Sequence, residues 1–191
     1  EVLDAPAVAA LLAAGFVVSG GGGGGVPVAQ DEGGTLSGIE AVIEKDLAAA
    51  VLGRSLGVDV LVIATDVDHV ALDFGTPDQR PLGRLSVTEL REHARAGHFA
   101  SGSMGPKVEA ACRFVEAGGR RTVITSLDRI TGAVAPASMI VNARIATRQV
   151  ISRVRSSYDE VISAGIATYG TWKNAYAVAA AKKNTSTHPA S

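Results

Sequence analysis

The sequence predicts an α/β protein built on a mostly parallel sheet, and three observations predict it. Short apolar runs rich in β-branched residues, Val58–Ala64 and Thr122–Thr125, alternate with helical segments of about 10–12 residues. Polar clusters stand at the ends of these runs, where strands of a parallel sheet hand the chain to ligand-facing loops. The composition is 47% apolar but only 4% aromatic, so the core must be made of Ala, Val, Leu and Ile. With 191 residues and 19% charged side chains, the chain is long enough to bury a core and too apolar to be disordered. The single cysteine, Cys112, excludes an intramolecular disulfide and a Cys-based zinc site. The most apolar stretch, Ala5–Val18, is too short to span a membrane and is interrupted by Pro6 and Gly15. With no basic leader or cleavage pattern, a cytoplasmic protein is expected. The chain opens on Glu1 in what reads as mid-domain sequence, the expectation for a piece of a longer protein.

Element by element, Asp4 to Ala14 reads as a helix with Asp4 as N-cap and Gly15 as its stop. Phe16–Ser19 reads as a short buried strand running into six glycines, Gly20–Gly25. Asp46–Leu56 reads as a helix stopped by Gly57, followed by the strand Val58–Ala64 and the polar cluster Thr65-Asp66-Val67-Asp68. Ser86-Val87-Thr88-Glu89 is a capping box opening a helix that ends at Gly97. A loop ending in Gly102-Ser103-Met104-Gly105-Pro106-Lys107 precedes an amphipathic helix from Val108 to Ala117, with Pro106 in its first turn. Gly118-Gly119 ends it, Thr122–Thr125 is the next strand, and Ser126 is expected to cap a short helix. The division expected is an α/β body over 1–135 and a basic, partly helical tail over 136–191. Residues 1–135 carry 11 Lys/Arg against 17 Asp/Glu, whereas 136–191 carry 7 against 2. The tail places Val150, Ile151, Val154, Tyr158, Val161 and Ile162 on one helical face. Its basic residues are scattered and lack interleaved aromatics, so no nucleic-acid partner is expected.

Three features can carry chemistry. Six consecutive glycines let backbone N–H groups approach an anion, because no Cβ obstructs them; the run is not G-x-G-x-x-G, so no dinucleotide fingerprint is present. Lys45 and Asp46 stand at a helix start, where Asp46 reads either as a plain N-cap beside a solvated lysine or as the carboxylate that orients an ammonium toward phosphate. Lys107 repeats the arrangement at a second helix start. Two lysines on one sheet edge suit a phosphoryl group in transfer, whose charge must be neutralised. Asp66 and Asp68 read equally as metal ligands or turn formers. His69, His93 and His98 lack metal-site spacing, and no Ser-His-Asp or Cys-His set stands out, so no protein metal site is assigned.

The segments Gly22–Val28, Glu40–Ala50, Thr65–Asp68 and Gly97–Ala111 occur in an order and at spacings that resemble carbamate kinase, a branch of the amino-acid kinase family. The resemblance covers roughly residues 1–135 and corresponds to the C-terminal, nucleotide-binding portion of such enzymes; the tail is atypical. It implies a three-layer α/β/α sandwich, ATP/ADP and Mg2+ as cofactors, small-molecule substrates (carbamoyl phosphate and carbamate), no membrane partner, and a homodimer for the full-length enzyme. The reaction implied is reversible phosphoryl transfer between carbamoyl phosphate and ADP. By resemblance, Lys45 and Lys107 contact the transferring phosphoryl and Asp46 holds both. Thr65, Asp66, Val67, Met104, Gly105 and Pro106 line the nucleotide, and Gly22, Gly23 and Gly24 line the carbamate side. Glu44 stands where the family usually has aspartate. The alternative, from a different class, is a non-catalytic nucleotide-binding remnant or regulatory subunit.

Overall fold

The computed structural model describes residues 1–99, 103–132 and 139–142. In chain order the elements begin with helix α1 (Ala5–Ala13), a hairpin of β1 (Val28–Gln30) and β2 (Leu36–Gly38), and helix α2 (Lys45–Leu56). Strand β3 (Val60–Thr65) follows, then the small pair β4 (Ala71–Leu72) and β5 (Arg80–Pro81), then β6 (Arg84–Ser86). Helices α3 (Val87–Arg95) and α4 (Met104–Glu116), strand β7 (Arg121–Ser126), a 3-10 helix (Leu127–Gly132) and β8 (Met139–Asn142) complete them.

The punctuation read from the sequence explains most boundaries. Gly57 takes the left-handed conformation at the end of α2, with φ 65°. Ser86 and Glu89 form the reciprocal capping box of α3. Four expectations are corrected. Phe16–Ser19 is not a strand: it pairs with no strand among the described residues, and Phe16 and Val17 are 62% and 69% exposed. An apolar run becomes a strand only where a neighbouring strand accepts its backbone groups. Asp4 sits at the N-cap of α1 without making a side-chain cap bond. α4 begins at Met104 and not at Val108, with Lys107 just inside the helix start as expected. Ser126 does not cap the 3-10 helix with its hydroxyl but donates it to Asp68 Oδ1 at 2.6 Å. The tail face around Val150–Ile162 lies outside the described residues.

The central sheet has the order β3-β7-β8-β6. β3 and β7 are parallel with Val60 opposite Arg121 and Thr65 opposite Ser126, β6 and β8 are parallel, and β7 meets β8 antiparallel. Two of three pairings are therefore parallel, as expected. The antiparallel strand β8 follows Pro136, beyond the last strand read from the sequence. Strand alternation sends Leu61, Ile63 and Ile124 to the face covered by α2, α3 and α4, where they join Leu90, Val108, Phe114 and Val115 in the core. Val62 and Val123 point to the opposite face, against Val60 and Ile130 of the 3-10 helix. Glycine permits the tightest packing: a Cβ on Gly119 would meet Phe114 Cε1 at 2.2 Å. Among the described residues no helix is long and apolar enough to cross a membrane.

Candidate functional site

Element lengths decide where the candidate residues meet. α2 is 12 residues long, or about 18 Å at 1.5 Å per residue. It turns back through Gly57 into β3, whose 6 residues span about 20 Å. The start of α2 is thus carried to the level of the end of β3. α4, Gly118-Gly119 and β7 repeat this geometry, with 13 and 6 residues. The starts of both helices and the ends of both parallel strands share one edge of the sheet, the edge at which open α/β sheets bind ligands.

At that edge Lys107 Nζ donates to Asp46 Oδ2 at 3.0 Å, across 61 residues of sequence. The side chains are 6% and 1% exposed, so this is a buried ion pair. Such a pair is a poor source of stability, because desolvating two charges offsets their attraction. The second carboxylate oxygen, Asp46 Oδ1, is buried and accepts no hydrogen bond among the described residues. An oxygen of this kind carries a desolvation cost and marks a place where a further donor would be received.

Lys45 is one residue away on α2, with Nζ 3.4 Å from Glu44 Oε1 and about a third of its side chain exposed. The N-cap of α2 is Glu44, not Asp46: Glu44 Oε2 accepts from the backbone N–H of Asp46 at 2.7 Å and of Leu47 at 3.0 Å. Two of the otherwise free first-turn amides of α2 are thereby engaged. Asp46, relieved of capping, turns inward to Lys107. Sequence reasoning missed Glu44 as the cap because aspartate is the better N-cap by preference, while the bond between Asp46 and Lys107 is the one the resemblance implied. At α4, Ser103 makes no side-chain cap, and Met104, Gly105 and Pro106 form the half-buried first turn ahead of Lys107.

The glycine run reaches the same place. Gly24 has φ 136°, and a Cβ there would stand 2.2 Å from the Ile43 carbonyl oxygen. Gly22 and Gly23 are exposed beside it, so the loop lies against the approach to Glu44 and Lys45. At the end of β3, Thr65 Oγ1 donates to Asp66 Oδ1 at 3.0 Å on the exposed rim. Asp68 accepts from the Ser126 hydroxyl and forms an ion pair with Arg129, 3.1 Å from Nε. His98 Nδ1 lies 3.1 Å from Asp73 Oδ1, which ties the loop after α3 to the β4–β5 pair. Cys112 is fully buried and its thiol is pushed up to about 11 by burial, so it is an inert core group. Among the described residues no group of three or more His, Cys, Asp or Glu could hold a metal ion.

Comparison with known proteins agrees with this fold. The profile of the Amino acid kinase family matches residues 1–126. A carbamate kinase of Thermococcus kodakarensis is 50% identical over 127 residues, 66% of this chain and 40% of the relative. The carbamate kinase-like protein YahI of Escherichia coli is 41% identical over 126 residues, again 66% of this chain and 40% of the relative. Among solved structures, a Giardia lamblia carbamate kinase bound to AMP-PNP superposes with a TM-score of 0.73 at 34% identity, over 75% of this chain and 50% of that one. The chain thus spans two fifths to one half of the length of these relatives. With a profile match over residues 1–126 and the same fold in a 34% identical structure, the chain belongs to the amino acid kinase family.

Proposed function

We propose that these residues supply the nucleotide-facing and phosphoryl-facing part of a carbamate kinase, which transfers a phosphoryl group between carbamoyl phosphate and ADP. The buried Lys107–Asp46 pair carries this reading, because it stands at the ligand edge of the sheet beside Lys45 and the glycine loop. A terminal ADP oxygen attacks phosphorus as the bond to carbamate oxygen breaks, giving ATP and carbamate. Carbamate leaves as a stable anion and is itself the nucleophile in reverse, so neither direction needs a general base. The task is positioning and charge neutralisation. Lys107, oriented by Asp46, and Lys45 donate N–H to the transferring oxygens. The Gly22–Gly24 backbone faces carbamate. Thr65, Asp66 and Val67, with Met104, Gly105 and Pro106, wall the nucleotide.

Magnesium, implied by the family, would ride on the nucleotide phosphates and neutralise their charge. The described residues form no cage of three ligands, and the roles given to the lysines do not involve the ion. The same reading extends to a homodimeric, cytoplasmic enzyme acting on small molecules, without membrane or nucleic-acid partners.

The test measures ADP binding by calorimetry and ATP formation from ADP and carbamoyl phosphate, in the native polypeptide that carries this sequence. Lys107→Ala is expected to lower turnover about 10²–10³-fold while ADP affinity changes less than about threefold. Wild-type turnover in Lys107→Ala would reduce the lysine to a structural charge. ADP binding without any transfer by the native polypeptide would favour a non-catalytic nucleotide-binding subunit.

A further inference from the structure

We infer that Asp68 is a positioning residue, a clasp that fixes the Thr65–Asp68 turn against the end of β7 and so holds one wall of the nucleotide site in place. This rests on the nucleotide reading above and deepens it.

The ladder between β3 and β7 ends at Thr65 opposite Ser126, and beyond that pair no sheet hydrogen bond among the described residues holds the turn. Asp68 takes over where the ladder stops. Its Oδ1 accepts the Ser126 hydroxyl at 2.6 Å and its Oδ2 forms an ion pair with Arg129, 3.1 Å from Nε, so each oxygen has its own partner. The partners lie 58 and 61 residues further along the chain, one at the last position of β7 and one in the 3-10 helix. The clasp therefore joins the exits of two parallel strands, one of which leads into the proposed nucleotide wall.

Magnitudes separate positioning from stabilisation. Asp68 and Arg129 are 48% and 52% exposed, and an ion pair in that setting adds little to global stability. Its effect is local: it selects one arrangement of a turn that the sheet no longer constrains. A ligand that needs that arrangement binds more weakly in proportion to the fraction of molecules that lose it.

Three variants test this: Asp68→Asn, which keeps the shape but loses the charge, Ser126→Ala, and the two combined. ADP affinity, thermal midpoint and amide exchange at Val67 and Asp68 are measured. Asp68→Asn is expected to weaken ADP about three- to tenfold and to speed exchange at the turn. Its thermal midpoint should move by less than about 2 °C. Ser126→Ala should weaken ADP in the same direction, and the double variant should fall short of the product of the single effects, as partners in one contact do. Turnover at saturating ADP should stay within about twofold of wild type, because Lys45 and Lys107 are untouched. Unchanged affinity and unchanged exchange in Asp68→Asn would overturn the clasp. So would an affinity loss matched by a large drop in thermal midpoint, which marks a merely structural residue. A wild-type chain that binds no ADP would overturn the nucleotide reading instead, and unchanged exchange at the turn in Asp68→Asn would then sink the clasp independently.

Discussion

Residues 1–43 and residues 44–126 are both rich in apolar side chains, yet they bury them very differently. In the first region Ala5 is the only buried residue, and ten of the twelve large hydrophobic residues exposed in the described structure lie there. The second region contains most of the core, with Leu61, Ile63, Leu90, Phe114 and Ile124 at 1% exposure or less. Hydropathy along the chain does not distinguish the two; tertiary pairing does. The β1–β2 hairpin, with every residue exposed, has no face to bury. α2, α4, β3 and β7 bury their faces against one another, and it is in this second region that two charged side chains are also driven inside.

The contrast is broken most severely by removing what only the second region has. Phe114→Ala deletes a ring packed against Gly53 and Gly119, with an expected loss of about 3–5 kcal/mol in denaturant unfolding. Phe16→Ala, the same chemistry at 62% exposure, should stay within about 0.5 kcal/mol. Equal losses at the two sites would mean that the first region is packed as tightly as the second. Lys107→Met should match Phe114→Ala at about 3–5 kcal/mol, because it strands the buried Asp46 carboxylate. Adding Asp46→Leu should recover most of that loss without restoring transfer. Stability and function would then separate at one pair, which is the signature of a charge kept for chemistry.

The comparison is sharpened, on a smaller scale, by glycines of the first region. Gly24→Ala must place a Cβ against the Ile43 carbonyl at a φ of 136°, with an expected strain of about 1–3 kcal/mol. Gly23→Ala, whose Cβ would meet nothing within 4 Å, should be nearly silent. Amide exchange at Lys45 and Asp46 reads the difference directly. Equal effects would show that the loop does not lean on the approach to α2.

Local signals make much of this legible in the sequence. The capping box at Ser86, the left-handed Gly57 and the alternation of β3 and β7 are short-range features, written in adjacent residues. The candidate site residues were named from the order and spacing of their motifs, and the fold brings Lys107 to Asp46. What could not be read was whatever depends on distant partners. Phe16–Ser19 has strand composition but no neighbour to pair with among the described residues. Glu44 caps α2 where aspartate is the commoner cap, a choice that nothing in the adjacent residues announces. The bond of Ser126 to Asp68 is invisible locally for the same reason, since nothing near Ser126 in sequence announces its acceptor.

The smallest expected effect lies on the solvent side of the second region, where α3 and α4 are joined by ion pairs. Arg91 bonds Glu116 at 2.8 and 2.9 Å and also bonds Glu109, which in turn accepts from Arg113 Nε at 2.5 Å. The Arg91 guanidinium holds the Glu116 carboxyl below the usual carboxylate range. At Glu109 burial pushes upward, but the bonds from Arg113 and Arg91 outweigh it and the net shift is downward. Glu89 is lowered as well, by the Ser86 backbone N–H and then by the Ser86 hydroxyl. A depressed carboxyl lends stability that is present above its unfolded pKa and disappears as pH falls through the folded value. Acid should therefore weaken the fold progressively below about pH 4.5, the ordinary range of glutamate. The ion pairs are partly exposed, so screening limits each to about 0.5 kcal/mol. Arg91→Ala should flatten this acid limb, and 0.5 M salt should flatten it in the wild type to a similar degree. The Glu89 part should survive salt, because its main partners are a backbone amide and a hydroxyl of the capping box. Urea unfolding from pH 3 to 7, at low and high salt, reads all three. An acid limb unchanged by Arg91→Ala would place the titrating groups elsewhere, and one abolished by salt alone would mean that the capping box contributes nothing to it.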